Sequence, residues 1–178
     1  MSLAATIKSS VGFLATLITR YSPLDLSRDS VEGIFNFVEI RDGLLTSGQP
    51  TEAQLALVRA ADVRRVINLA PHHAENALPD EAGTLAALDM EYTHIPVDFQ
   101  APTDAEFEAF CQAMQSLGDD KVLVHCAANM RVSAFIYRYR RDVLKESDER
   151  IRPDMERIWE PFGVWKEFIA EPSSASHD

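Results

Sequence analysis

Short apolar runs alternate along the chain with amphipathic stretches, and that rhythm limits it to few folds. Phe37-Val38-Glu39-Ile40 runs into Asp42-Gly43, a turn signal, and then Leu44-Leu45-Thr46, the pattern of a small hairpin. Ser47-Gly48-Gln49-Pro50 reads as a second turn. Thr51 then opens a helix, with Gln54 three residues on completing a capping box. Val63 to Leu69 reads as a buried strand, Asp80 to Leu88 as a helix and Tyr92 to Val97 as another strand. Thr103 and Glu106 repeat the capping box, ahead of a helix whose apolar face carries Phe107, Phe110, Cys111 and Met114, so Cys111 is expected in the core. Val122-Leu123-Val124 is a short apolar strand, followed by an alanine-containing loop and a helix from about Arg131. Strands alternating with helices predict the α/β class: a central, mostly parallel sheet of about four to five strands with helices on both faces.

The chain has 178 residues, 46% of them apolar, enough for one domain with a core that needs no disulfide or metal staple. The expected division is an N-terminal helical extension over 1–30, one domain over 31–170 and a disordered tail over 171–178. Near the start, Lys8 precedes the apolar run Val11 to Ile18, which is too short to span a bilayer and lacks a small-x-small cleavage site after it. A helix ending near Pro23 and packing on the domain is the expectation. Cys111 and Cys126 are too few for a disulfide framework or a Cys-rich zinc site, and they suit a reducing, cytoplasmic setting. His72-His73 point in different directions and have no Cys or carboxylate at ligand spacing, so neither a metal nor another cofactor is expected. The net charge of −11 argues against nucleic acid and anionic membrane as partners. It is uneven: Arg131 to Arg157 holds eight basic and six acidic residues, and this mildly basic part is expected to meet an anionic substrate. Trp159, Phe162, Trp165, Phe168 and Ile169 predict a C-terminal helical segment packed back on the body.

In sheets of this class, sites lie where strands end and helices begin. That directs attention to Val122-Leu123-Val124-His125-Cys126-Ala127-Ala128-Asn129-Met130-Arg131-Val132-Ser133. A cysteine at a strand's carboxyl end, followed by a tight loop and a helix, has its thiolate stabilised by loop amides and the positive helix end. The same donors hold an oxyanion, and an arginine at the helix start adds a fork for phosphate or sulfate oxygens. Cys126 is therefore expected to be a nucleophile and Arg131 to bind an anion.

His125-Cys126 opening a loop after Val122-Leu123-Val124 resembles the signature of the cysteine-dependent tyrosine and dual-specificity phosphatases. Thr46-Ser-Gly-Gln-Pro-Thr51, Val66-Ile-Asn-Leu69, Tyr92-Thr-His-Ile-Pro-Val97, Val124 to Phe135, and Ile158-Trp-Glu-Pro161 with Trp165 resemble a bacterial branch of that superfamily, which includes the beta-lactamase-hydrolase-like phosphatase domain. The resemblance covers residues about 44 to 169. It implies the cysteine-phosphatase-like fold and hydrolysis of phosphate monoesters through a phosphocysteine, with a phosphorylated protein or a small phosphate ester as partner. It also implies Cys126, Arg131 and Asp98 as catalytic residues, and His125, Ala127, Ala128, Asn129, Met130, Val132 and Ser133 as the phosphate-binding loop. His125 would hold the loop and favour the thiolate. Asp98, 28 residues before Cys126 and directly after a strand, would protonate the leaving group. Asp104 is the alternative acid, although its place after Thr103 suits a first helical turn. Asn68 and Glu81 are expected neighbours of the site.

One spacing departs from the signature. The phosphatases place five residues between cysteine and arginine; here Arg131 follows after four, and Val132 stands where the arginine would be. Either the loop is one residue shorter and Arg131 takes the phosphate role, or the arginine is absent and Val132 packs with Phe135, Ile136 and Tyr139 on one helical stripe. Four residues is also the spacing of rhodanese-like sulfurtransferases, which would make Cys126 a persulfide carrier and bring in a sulfur donor. Asn129 stands where both superfamilies use glycine, and asparagine tolerates the left-handed conformation. A catalytically inactive phosphate-binding module is the third reading.

Overall fold

The structure is a computed structural model and describes residues 30–170. The expected N-terminal helical extension and disordered tail lie outside the described residues. Within them, a 3-10 turn at Val31–Gly33 precedes β1 (Val38–Arg41) and β2 (Leu44–Ser47). Then follow α1 (Glu52–Ala60), β3 (Arg65–Asn68), α2 (Glu81–Ala87), β4 (Glu91–His94), α3 (Asp104–Gln115), β5 (Val122–His125), α4 (Met130–Asp142), α5 (Asp148–Glu156) and α6 (Val164–Ala170).

Side-chain chemistry sets the helix starts as the sequence suggests. Thr51 and Thr103 each accept from the backbone amide three residues on, and Gln54 and Glu106 reach back to the cap amides. Asp80 caps α2 through Gly83 N at 2.9 Å. Strand β4 is shorter than expected and ends at His94; beyond it Pro96 has no amide to donate, while Ile95 N and Val97 N still bond to Asn68 O and Leu69 O.

The sheet order is β1-β2-β5-β3-β4, with β1 antiparallel to β2 and every other pair parallel. This is the α/β architecture expected from the alternation. Strand β5 lies in the middle, and His125 pairs with Ser47 of β2 on one side and Asn68 of β3 on the other. The last strand residue therefore opens at a point where chain connections diverge to both sides, the usual place for a site.

Alternation within the strands separates two cores. Leu45, Val66 and Leu123 face Leu55, Val58 and Leu85 of α1 and α2. Leu44, Ile67, Val122 and Val124 face Phe107, Phe110, Phe135, Trp159, Trp165 and Phe168. The C-terminal segment thus packs back on the body, with Trp159 and Trp165 buried, but Phe162 is 57% exposed and only edges Trp159. Cys111 is half-buried rather than core, because the inward stripe of α3 runs through Phe107, Phe110 and Met114 and leaves it at the flank. Burial pushes its thiol up to about 11, which suits an inert side chain.

The basic stretch after the loop is largely committed internally. Arg138, fully buried, lies 2.7 Å from Asp104 and over the rings of Phe107 and Phe168. Arg140 pairs with Glu146 and Asp154, Arg141 with Asp142, and Arg152 with Asp148. The local surplus of positive charge is thus a set of structural ion pairs, and Arg131 is the member beside the loop.

Candidate active site

Cys126 follows β5 directly and is fully buried, its amide donating to Ser47 O at 3.3 Å. The loop after it is held from outside through its carbonyls. Ala127 O accepts from Gln49 N at 3.3 Å and from Asn76 Nδ2 at 2.9 Å, and Ala128 O accepts from Asn36 Nδ2 at 3.0 Å. In a planar trans peptide the N–H points opposite to the C=O, so tethering these oxygens turns the following amides away from the tethers. Gly48 makes this packing possible: a Cβ there would sit 2.9 Å from the Phe35 ring and 3.1 Å from Ala127 O.

Asn129 closes the loop in the left-handed conformation, φ 63°, as its residue type allows. Its Nδ2 donates to Asn36 O at 2.7 Å and to Thr46 Oγ1 at 3.2 Å. Glycine could adopt the same backbone but could not make these bonds. Helix α4 begins at Met130, and Ser133 Oγ donates to Met130 O while accepting from Trp159 Nε1 at 3.1 Å.

Below the loop, His125 is fully buried with Nε2 3.1 Å from Glu81 Oε1, a close electrostatic contact rather than an aligned hydrogen bond. Glu81 gathers the surrounding strands: it accepts from Gln49 Nε2 at 2.9 Å, Asn68 Nδ2 at 2.6 Å and Tyr92 Oη at 3.1 Å. Burial pushes this carboxyl up, but the His125 ring and the Gln49 and Tyr92 donors outweigh it and hold the pKa at about 2. A folded-state pKa below the ordinary 4.5 means the carboxylate's contribution is complete above that pH and is lost as pH falls from there through about 2. That contribution is on the order of 3 kcal/mol. Glu81→Gln is therefore expected to flatten the fall in melting temperature below about pH 4.5, as calorimetry across pH would measure.

The arginine question resolves into two placements. Val132 is fully buried in the core with Phe135, Ile136 and Tyr139, so it belongs to the helix's packing face and not to the loop lining expected of it. Arg131, in the first turn of α4, lies with Cζ 5.2 Å over the Phe99 ring; among the described residues its buried Nε has no partner and no acid pairs with it. Phe99 adjoins Asp98, so the stretch carrying this aspartate reaches α4. Asp98 is exposed and accepts from Gln100 N at 2.9 Å in its own turn. Asp104 is occupied by Arg138 and by the start of α3.

His72 and His73 are exposed, and His72 packs on His94 with ring centroids 3.9 Å apart. Among the described residues no group of three or more His, Cys, Asp or Glu side chains could hold a metal ion. None of the described helices is long and apolar enough to cross a membrane.

The family model of a DSP-PTPase phosphatase fused to NAD+ kinase matches residues 15–161. The chain belongs to this phosphatase family. A DUF442 phosphatase of Shewanella putrefaciens CN-32 is 34% identical, over 85% of this chain and 99% of that one, with a TM-score of 0.73. The beta-lactamase hydrolase-like protein of Agrobacterium fabrum is 31% identical over 97 residues, which are 53% of this chain and 22% of that protein. The chain thus matches about a fifth of the length of its curated relatives. TpbA of P. aeruginosa, solved as a cysteine-to-serine variant in complex with phosphotyrosine, shares the fold at a TM-score of 0.57 and 20% identity, over 68% of this chain and 72% of that one.

Within the DSP-PTPase family, the features that sequence reasoning missed are the tethers of the loop. Asn36, Gln49 and Asn76 lie 51 to 92 residues from the carbonyls they hold. The one local signal was Ser47-Gly48-Gln49-Pro50, read as a turn and as part of the family resemblance but not as the wall of the cysteine loop.

Proposed function

We propose that this member of the phosphatase family hydrolyses phosphate monoesters with Cys126 as nucleophile. The Cys126 thiolate attacks phosphorus; an S–P bond forms as the bond from phosphorus to the ester oxygen breaks. Asp98 gives its proton to that oxygen, since an alkoxide or phenoxide leaves poorly unprotonated. Amides of the loop Ala127 to Met130 and the Arg131 fork hold the three equatorial oxygens as charge shifts among them. Water then attacks the phosphocysteine, Asp98 takes its proton, and the S–P bond breaks to release phosphate and thiolate.

The observation that carries this reading is the placement of Arg131: it adjoins the cysteine loop, yet no acid among the described residues neutralises it, while Arg138, Arg140 and Arg141 on the same helix are ion-paired. An anion is the partner it lacks. The substrates proposed are a phosphorylated protein or a small phosphate ester, with the overall charge of −11 disfavouring nucleic acid.

The four-residue spacing from Cys126 to Arg131 favours one second reading, sulfur carriage as a persulfide on Cys126. A paired assay decides between them: phosphate release from an aryl phosphate in the presence of EDTA, and sulfur transfer from thiosulfate to cyanide. Phosphate release alone is expected. Sulfur transfer without phosphate release would overturn the phosphatase reading in favour of the second.

A further inference from the structure

We propose that Trp165 is a positioning residue for the leaving-group proton: its indole N–H pins the Asp98 loop at a fixed setting relative to Arg131. This rests on the reading of Asp98 as the acid. Trp165 lies in α6, 39 residues after Cys126, and it is 1% exposed. Its Nε1 donates to Phe99 O at 2.8 Å, and its ring lies 5.4 Å from the Phe99 ring. Trp159 packs against both, 6.0 Å from Trp165 and 5.8 Å from Phe99, and its own Nε1 donates to Ser133 Oγ. The circuit closes through Arg131, which shares the first turn of α4 with Ser133 and stacks over Phe99.

Two buried indoles therefore bolt two pieces of the site to one another. One is tied to the helix turn that carries Arg131, the other to the residue next to Asp98. Asp98 itself is exposed, and among the described residues its side chain bonds within its own turn, accepting from Gln100 N, with no partner there that fixes its distance from the loop. Asp98 is flanked by two fixed backbone points: Val97 N bonds to Leu69 O on one side, and on the other the carbonyl of Phe99 accepts from Trp165. A proton donor displaced by a fraction of an ångström to an ångström loses much of its effect, while anion binding by the loop is unaffected.

The test compares two esters. p-Nitrophenolate leaves well without a proton, whereas phenolate needs one, so an error in the acid shows on phenyl phosphate and not on p-nitrophenyl phosphate. Trp165→Phe is expected to lower kcat on phenyl phosphate by at least about tenfold, with p-nitrophenyl phosphate changed less than about twofold and KM unchanged for both. In an Asp98→Ala background, Trp165→Phe is expected to add no further loss on phenyl phosphate. A benzothienyl analogue at 165, of the same shape without the N–H, should behave as Trp165→Phe does, and melting curves on each variant separate loss of position from loss of fold. Equal losses on both esters in a folded variant, or losses that add to those of Asp98→Ala, would overturn the proposal. An Asp98→Ala variant as active as wild type on phenyl phosphate would overturn the reading of Asp98, and the proposal with it.

Discussion

Cys126→Ser is expected to lower aryl phosphate hydrolysis by more than about a thousandfold, the scale seen when a covalent nucleophile is removed. A serine hydroxyl is scarcely ionised at neutral pH, and the setting at the end of β5 offers it no adjacent base positioned as a proton acceptor: the buried imidazole of His125 faces Glu81. Cys126 is a fully buried member of the core cluster with its amide held by Ser47 O; the serine is smaller and keeps that backbone bond, and a melting curve checks that the variant is folded. Anion binding should survive, because the loop amides and Arg131 are untouched. The measurement pairs initial rates with binding of orthovanadate or inorganic phosphate by calorimetry. A folded Cys126→Ser protein with wild-type rates would remove the nucleophile from the proposed mechanism.

Arg131→Ala is expected to cost about 10²- to 10³-fold in kcat/KM, comparable to deleting a preorganised oxyanion donor. Its effect on stability should be small, about 0.5–1 kcal/mol for the stacking on Phe99, since no ion pair within the described residues is broken. Arg131→Lys should restore only part of the rate, because an ammonium supplies charge without the planar fork. Arg138→Ala makes the useful contrast. That guanidinium is fully buried between Phe107 and Phe168 and lies against Asp104, so its removal should lower the melting temperature sharply and act on rate only through the fold. If Arg131→Ala left kcat/KM unchanged, the shortened spacing would mean that the phosphatase arginine is simply missing, with Val132 in its place.

The sequence carries most of this fold because its signals are local. Capping boxes at Thr51 and Thr103 and the apolar runs of β3 and β5 are read within a few residues, and each is where it was expected. The cysteine loop was legible for the same reason, including the tolerance of Asn129 for its left-handed backbone. What was not legible is long-range polar pairing. Glu81 was expected only as a neighbour, yet it contacts His125, Gln49, Asn68 and Tyr92 from four separate segments. No periodicity announces such a cluster, since each partner contributes one polar atom. Helical spacing also misled at Cys111, since a stripe gives the side of a helix that is apolar but not how far its edge reaches into the core, and at Phe162, which lies in the loop before α6. The charge balance from Arg131 to Arg157 misled differently, since counting cannot distinguish a free guanidinium from one already paired within the fold.

In the proposed mechanism phosphate passes through Cys126. Mixing the protein with excess aryl phosphate, quenching in acid within the first turnovers and mapping the peptides by mass spectrometry tests it most directly. A phosphoryl group on the peptide containing Cys126, absent in Cys126→Ser and lost on longer incubation before the quench, is the expected result. Phosphate release at full rate with no adduct on Cys126 at any quench time, or with the adduct on another residue, would contradict it.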